Sequence, residues 1–171
     1  MTTARIDDQK TLLVVWHSRT GATKQMVDAA LDAAVQVDGI RARVLAANEA
    51  TSVDVLAADA LLFAAPENLA ALSGAMKEFF DRSYYELLDR CNSKAYATII
   101  SAGSDGEGAQ RQLDRIAKGL RLRRVAPALI IKTQAQTSEE ILAAKHLGAT
   151  DLARGAELGA LLGEGLALGI F

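Results

Sequence analysis

Five short apolar runs, each followed by a stretch with helical spacing, constrain this chain more than any other feature. The runs are Leu12–Trp16, Arg41–Ala46, Ala60–Ala64, Tyr96–Ile100 and Val125–Ile131. Strands that alternate with helices pair in parallel, because each crossover returns the chain to the same end of the sheet. Helices then cover both faces, so inner strands read as unbroken apolar runs. The second run instead alternates Arg41 and Arg43 with Ala42 and Val44, as an exposed edge does. The fifth contains Pro127, which cannot donate to a ladder and belongs at an edge or makes the strand begin late. Two edges at these positions give an α/β three-layer sandwich, a five-stranded parallel sheet of order 2-1-3-4-5.

Between the runs, Ala22 to Val37 reads as a helix with Met26, Ala29, Ala30, Ala33, Ala34 and Val37 on one face, ended by Asp38-Gly39. A short helix begins at Ser52. Pro66 closes the third strand, and Ser73 caps a long helix that turns Met76, Phe79, Phe80, Leu87 and Leu88 inward. Ser104–Leu122 is a loop plus helix with a capping box, Ser104-x-x-Glu107, and Thr137-Ser138-Glu139-Glu140 is a second box that opens the last helical region. Gly155, Gly159 and Gly163 recur every four residues there, a small face for docking on the sheet or for contact within a homo-oligomer. With no repeat, linker or low-complexity tract, the 171 residues are expected to form a single domain, 1–171.

Order 2-1-3-4-5 places a ligand beyond the C-terminal ends of the first, third and fourth strands. The loops there are 17–23, 66–73 and 101–108. The first, Ser18-Arg19-Thr20-Gly21-Ala22-Thr23, puts three hydroxyls and a run of amides at a helix N-terminus, a favourable place for an anion. It lacks the Lys of a triphosphate loop, so a phosphate monoester suits it better than a Mg-triphosphate. Ser and Thr also serve plain turns and caps, and Arg19 can face the anion or water. The second loop starts at Pro66-Glu67-Asn68-Leu69. The third carries three glycines in Ser101–Gly108 without the dinucleotide fingerprint.

The remaining chemistry narrows further. A net charge of −2 favours neither nucleic acid nor an anionic membrane as partner. One cysteine, Cys91, cannot form an internal disulfide, which fits a reducing compartment. The charged N-terminal stretch lacks a signal peptide's apolar core, and no apolar stretch reaches about 18 residues; the expected location is cytoplasmic. His17, His146 and Cys91 lack metal-ligand spacing. A phosphoacceptor domain would need an acidic residue where Pro66 stands and acidic residues after the first strand, whereas Asp7-Asp8 precede it. A Cys-x5-Arg phosphatase is excluded because Ala97 occupies the Arg position. Arg111, Arg115, Lys118 and Arg121 form a basic stripe that reads as a solvated helix face.

The first loop fits the pattern Ser/Thr-x-Thr-Gly-x-Thr and resembles the loop with which flavodoxin-like proteins hold the phosphate of FMN. The string Pro66–Arg82, PENLAALSGAMKEFFDR, is similar to the second flavin loop and following helix of NAD(P)H-dependent FMN reductases and flavodoxins. The resemblance runs through the chain in order and implies a flavodoxin-like fold with FMN bound noncovalently. It assigns Ser18, Arg19, Thr20, Gly21, Ala22 and Thr23 to the phosphate. Pro66, Glu67, Asn68 and Leu69 go to the ring, and Ala102, Gly103, Ser104, Asp105 and Gly106 to its pyrimidine side. It implies an oxidoreductase of the quinone or flavin reductase type with NADH or NADPH as co-substrate, and assigns no catalytic side chain. The electron acceptor would be a quinone, a flavin or a redox protein. Many flavodoxin-like proteins stack an aromatic on the ring, but the second loop continues Leu69-Ala70-Ala71-Leu72. Two alternatives therefore accompany the reductase: an electron carrier, which a charge of only −2 disfavours, and a flavin-free binding module.

Overall fold

The computed structural model describes residues 9–171; the acidic pair Asp7-Asp8 lies outside them. In chain order the elements are β1 (Lys10–Trp16), α1 (Ala22–Ala34), β2 (Ile40–Ala46), α2 (Ser52–Ala57), β3 (Ala60–Asn68), β4 (Ala71–Leu72) and α3 (Gly74–Leu87). There follow β5 (Ala95–Ala102), α4 (Glu107–Gly119), β6 (Arg123–Arg124), β7 (Leu129–Lys132), α5 (Ser138–Leu142) and α6 (Ala149–Ala167). The sheet path is β2-β1-β3-β5-β6, with β7 also on β5 and β4 on β3. Every pairing is parallel except the β3–β4 hairpin. Because β6 and β7 both lie along β5, they are two halves of one interrupted edge strand, and the five-strand order 2-1-3-4-5 holds. Pro127 sits in the interruption, and the ladder resumes at Leu129.

Alternation along the inner strands divides the core. Leu13, Val15, Leu61 and Phe63 point to the face covered by α2, α3 and α4, where Phe79 and Phe80 pack on Phe63. Leu12, Val14, Leu62 and Ile99 point to the face covered by α1 and α6. The glycines of α6 dock it on α1 rather than on the sheet or a second copy. A Cβ at Gly155 would lie 3.0 Å from Met26 Cε, and one at Gly159 would run into the backbone of Ala30, 2.6 Å from its carbonyl carbon. Small residues let the two backbones approach, at about 1 kcal/mol of lost helix propensity per glycine.

Several sequence-based boundaries shift for local reasons. α1 stops at Ala34, and the amides of Gln36 and Val37 bond back three residues in a tightened last turn. Gly39, with φ of 79°, belongs to the turn that follows. β3 does not end at Pro66; it runs on to Asn68 and folds back as β4. Ser73 precedes α3 but does not cap it with its side chain. The Ser104–Glu107 box does not form, because left-handed Gly106 is the residue before α4. The Thr137–Glu140 box does form, on the five-residue helix α5.

Candidate functional site

The C-terminal ends of β1, β3 and β5 open into a cavity of about 320 Å³, within the range of small-molecule sites. Arg19, Thr20 and Ala22 line it from the first loop. Pro66, Glu67, Asn68, Leu69 and Ala70 line it from the β3–β4 hairpin, and Ser101, Ala102, Gly103 and Ser104 from the end of β5. The topology brings the three loops together because their parent strands are adjacent in the sheet.

Five sequence-assigned residues do not line this surface. Thr23 is fully buried, and its hydroxyl lies 2.7 Å from that of Ser101, joining the first and third loops beneath the cavity. The Ser18 hydroxyl oxygen accepts the Gly21 amide at 3.2 Å, so both residues shape the turn. Gly106 is glycine for the core: a Cβ there would meet Ile130 and Ala102. Asp105 is exposed on the outside of the turn. The cavity's first-loop wall thus offers the Arg19 guanidinium and the Thr20 hydroxyl rather than three hydroxyls.

Glu67 has a role that its place in the sequence does not suggest. Its carboxylate accepts the amides of Gly106 at 2.9 Å and Ala109 at 3.0 Å. These are first-turn donors of α4 that the helix itself cannot satisfy, and the positive end of its dipole faces the carboxylate. Two further features bind the hairpin to α4. The Leu72 amide donates to Gln112 Oε1 at 2.8 Å. At Gly108, a Cβ would collide with the Ala70 carbonyl and lie 3.0 Å from its carbon. The hairpin tip, Leu69-Ala70, has φ of 51° and 60°, and Leu69 is fully exposed. A two-residue tip with both φ positive normally calls for Asn-Gly, so Leu-Ala there is strained.

His17, at the end of β1, places Nδ1 3.0 Å from the buried Ser73 hydroxyl and links the first loop to the start of α3. Burial, and to a lesser degree the Arg19 charge, holds its pKa below the ordinary 6.5. None of the cavity-lining residues is aromatic. Trp16, partly buried, packs against the core cluster beneath α1 and α6, Tyr84 packs on the opposite core cluster, and Tyr85 meets Tyr84 edge-to-face in solvent. The basic stripe of α4 is exposed. Among the described residues, no group of three His, Cys, Asp or Glu is placed to hold a metal, and no helix is long and apolar enough to cross a membrane.

Residues 17–136, well over half of the chain, match the family model described as NADPH-dependent FMN reductase. The chain belongs to the NADPH-dependent FMN reductase family. This family member is 35% identical over 97 residues to a flavodoxin of Aquifex aeolicus (strain VF5). The match covers 57% of the chain and 52% of that relative, so it spans about half the relative's length. Among solved structures, a flavodoxin from the domain Archaea superposes with a TM-score of 0.73 at 18% identity, covering 92% of this chain and 99% of the other. A WrbA-like flavodoxin from Agrobacterium tumefaciens gives 0.70 at 19% identity, covering 91% and 96%. Rubredoxin oxygen:oxidoreductase from Desulfovibrio gigas gives 0.74 at 10% identity, covering 96% of this chain and 38% of that one. At these identities the structures establish the flavodoxin-like fold.

Beyond the residues the sequence suggested, this reductase-family chain lines its cavity with Ala70, Ser101, Thr133, Ala135, Ile141, Leu142 and Lys145. Ala70 and Ser101 lie within the loops 66–73 and 101–108, though the sequence singles out neither as a binding residue. The other five come from the segment between β7 and α6. The signal for them was the strand order itself, which brings the end of the fifth strand to the same rim.

Proposed function

We propose that the cavity binds FMN and that the protein is an NAD(P)H-dependent oxidoreductase of the quinone or flavin reductase type. The observation that carries the reading is the convergence of three chemically distinct loops on one cavity at the ends of β1, β3 and β5. The donor set fits the cofactor. Arg19 and Thr20, beside the N-terminus of α1, suit a phosphate monoester, while Pro66, Leu69 and Ala70 offer an apolar wall to a flat ring. Thr23 and Ser101 act from below as positioning residues, and Glu67, Gln112 and Gly108 fix the hairpin against α4. FMN supplies the redox chemistry when bound; the chain's own part is to orient it and shape access to it. The family's description supports a nicotinamide reductant, NADH or NADPH, and the modest net charge of −2 supports a small acceptor over a redox protein.

A flavin spectrum in the purified protein, with FMN identified after heat release, supports the cofactor assignment. Rapid-mixing oxidation of NADH and NADPH with quinone and flavin acceptors then tests the reductase reading. Reduction by neither nicotinamide, with fast exchange to a redox protein, would replace it with the electron-carrier reading that the similarity to a flavodoxin supports. Failure to take up FMN would leave the flavin-free module.

A further inference from the structure

The segment 133–148 lies outside the three-loop arrangement, yet it forms part of the wall beside the first loop. Ile141, Leu142 and Lys145 line the cavity together with Arg19 and Thr20. The segment is tied to that loop through its backbone. The Lys145 amide donates to the Thr20 carbonyl at 2.7 Å. Gln25, in the first turns of α1, uses its carboxamide in both directions. Its Nε2 donates to the carbonyls of Lys145 at 2.7 Å and Gly21 at 3.0 Å, and its Oε1 accepts the Leu147 amide at 3.1 Å.

The short helix α5 within this segment is held at both ends. At its start the Glu140 carboxylate accepts the amides of Gln136 and Thr137, which lowers its pKa. At its end the Lys145 ammonium donates to the carbonyls of Glu140, Ile141 and Ala143, engaging all three of its donors. Five residues are too few to stay helical alone, so these ties set its position. The Lys145 amide and the Gln25 carboxamide in turn engage the carbonyls of Thr20 and Gly21, whose dipoles would oppose an anion if they faced the cavity.

Resting on the FMN reading above, we infer that residues 137–147 form a strap that closes the phosphate end and selects a mononucleotide flavin over a dinucleotide one. A phosphomonoester terminates against Arg19 and Thr20. A flavin extended through a second phosphate to adenosine must continue through the space that Ile141, Leu142 and the Lys145 backbone occupy. Those aliphatic side chains line the cavity and offer a second phosphate no donor. Gln25 is the positioning residue that holds the strap in place.

The test is fluorescence titration of the full-length chain with riboflavin, FMN and FAD. The native protein should bind FMN at least about 100-fold more tightly than FAD. Gln25→Ala should cut that ratio by about tenfold, as expected for losing one or two hydrogen bonds, while leaving riboflavin affinity unchanged. Lys145→Met, which spares α1 and removes the α5 carbonyl ties together with a cation that lines the cavity, should shift the FMN-to-FAD ratio in the same direction and serves if Gln25→Ala does not fold. Equal native affinity for FMN and FAD would overturn the strap and leave the FMN reading standing. Variants that weaken all three flavins alike, or leave the ratio unchanged, would also overturn it. A native chain that binds none of the three would overturn the FMN reading and the strap with it.

Discussion

The two ends of the cavity are built on opposite plans. At the first loop nearly every group is committed. The Thr23 and Ser101 hydroxyls meet underneath, Gln25 and Lys145 tie the turn to the neighbouring segment, and the charged and hydroxyl side chains left over are Arg19 and Thr20. At the hairpin, the backbone is held and the tip side chain is free. Glu67 and Gln112 anchor its base to α4 and Gly108 packs against the Ala70 carbonyl, whereas Leu69, in a left-handed conformation, projects into solvent. The contrast indicates where affinity and access reside. A rigid polar end can supply binding energy through the phosphate, and an aliphatic end without an aromatic cover leaves the ring open to a second reactant.

The largest expected effect comes from forcing the hairpin off its anchor. Gly108→Ala places a methyl against the Ala70 carbonyl. Overpacking of this kind costs about 1–3 kcal/mol, and calorimetry together with FMN titration should show lost stability and lost affinity in one variant. Retained affinity would mean that the hairpin does not contribute to the ring end.

Comparable in affinity, but without the loss of stability, is Thr20→Val, which removes a hydroxyl from the polar end. A hydrogen bond to a charged group is worth about 1.5–3 kcal/mol, so FMN should weaken about tenfold or more while riboflavin, lacking the phosphate, changes little. Equal losses for both flavins would reverse the assignment of the two ends.

Much of this architecture was legible in the sequence, and the exceptions share a cause. The apolar runs and their edge signals gave the strand order, because burial and hydrogen-bond accounting act within a few residues. The Thr137–Glu140 box was legible for the same reason. The box assigned to Ser104–Glu107 failed because α4 starts only after left-handed Gly106, and the amides of Gly106 and Ala109 there go to Glu67, 39 residues before Gly106. Thr23 turned inward because its partner is Ser101, 78 residues away. The strap lines the cavity through ties from Gln25 that no local pattern encodes. Long-range pairings decide which polar groups face a ligand, and a single sequence does not display them.

A smaller effect should come from relieving the hairpin tip. Replacing Leu69-Ala70 with Asn-Gly suits the left-handed pair and should raise stability by about 1 kcal/mol, read as an increase in Tm. No increase would mean that the tip carries no strain.

The smallest expected effect is a pH slope from His17. Its folded pKa lies below 6.5, so above that pH both folded and unfolded states are neutral there and this group contributes no slope. As pH falls below 6.5, the unfolded chain takes up the proton first, and stability declines until the folded pKa is passed. His17→Gln should flatten that part of the Tm-against-pH curve; an unaltered slope would place its origin elsewhere.

The central claim, that this cavity is a flavin site held chiefly through the phosphate, is tested most directly by adding FMN to the purified protein and following flavin fluorescence. The account expects saturable quenching at one FMN per chain, with riboflavin markedly weaker. Unchanged FMN fluorescence at every protein concentration, or quenching by riboflavin as strong as by FMN, would contradict it.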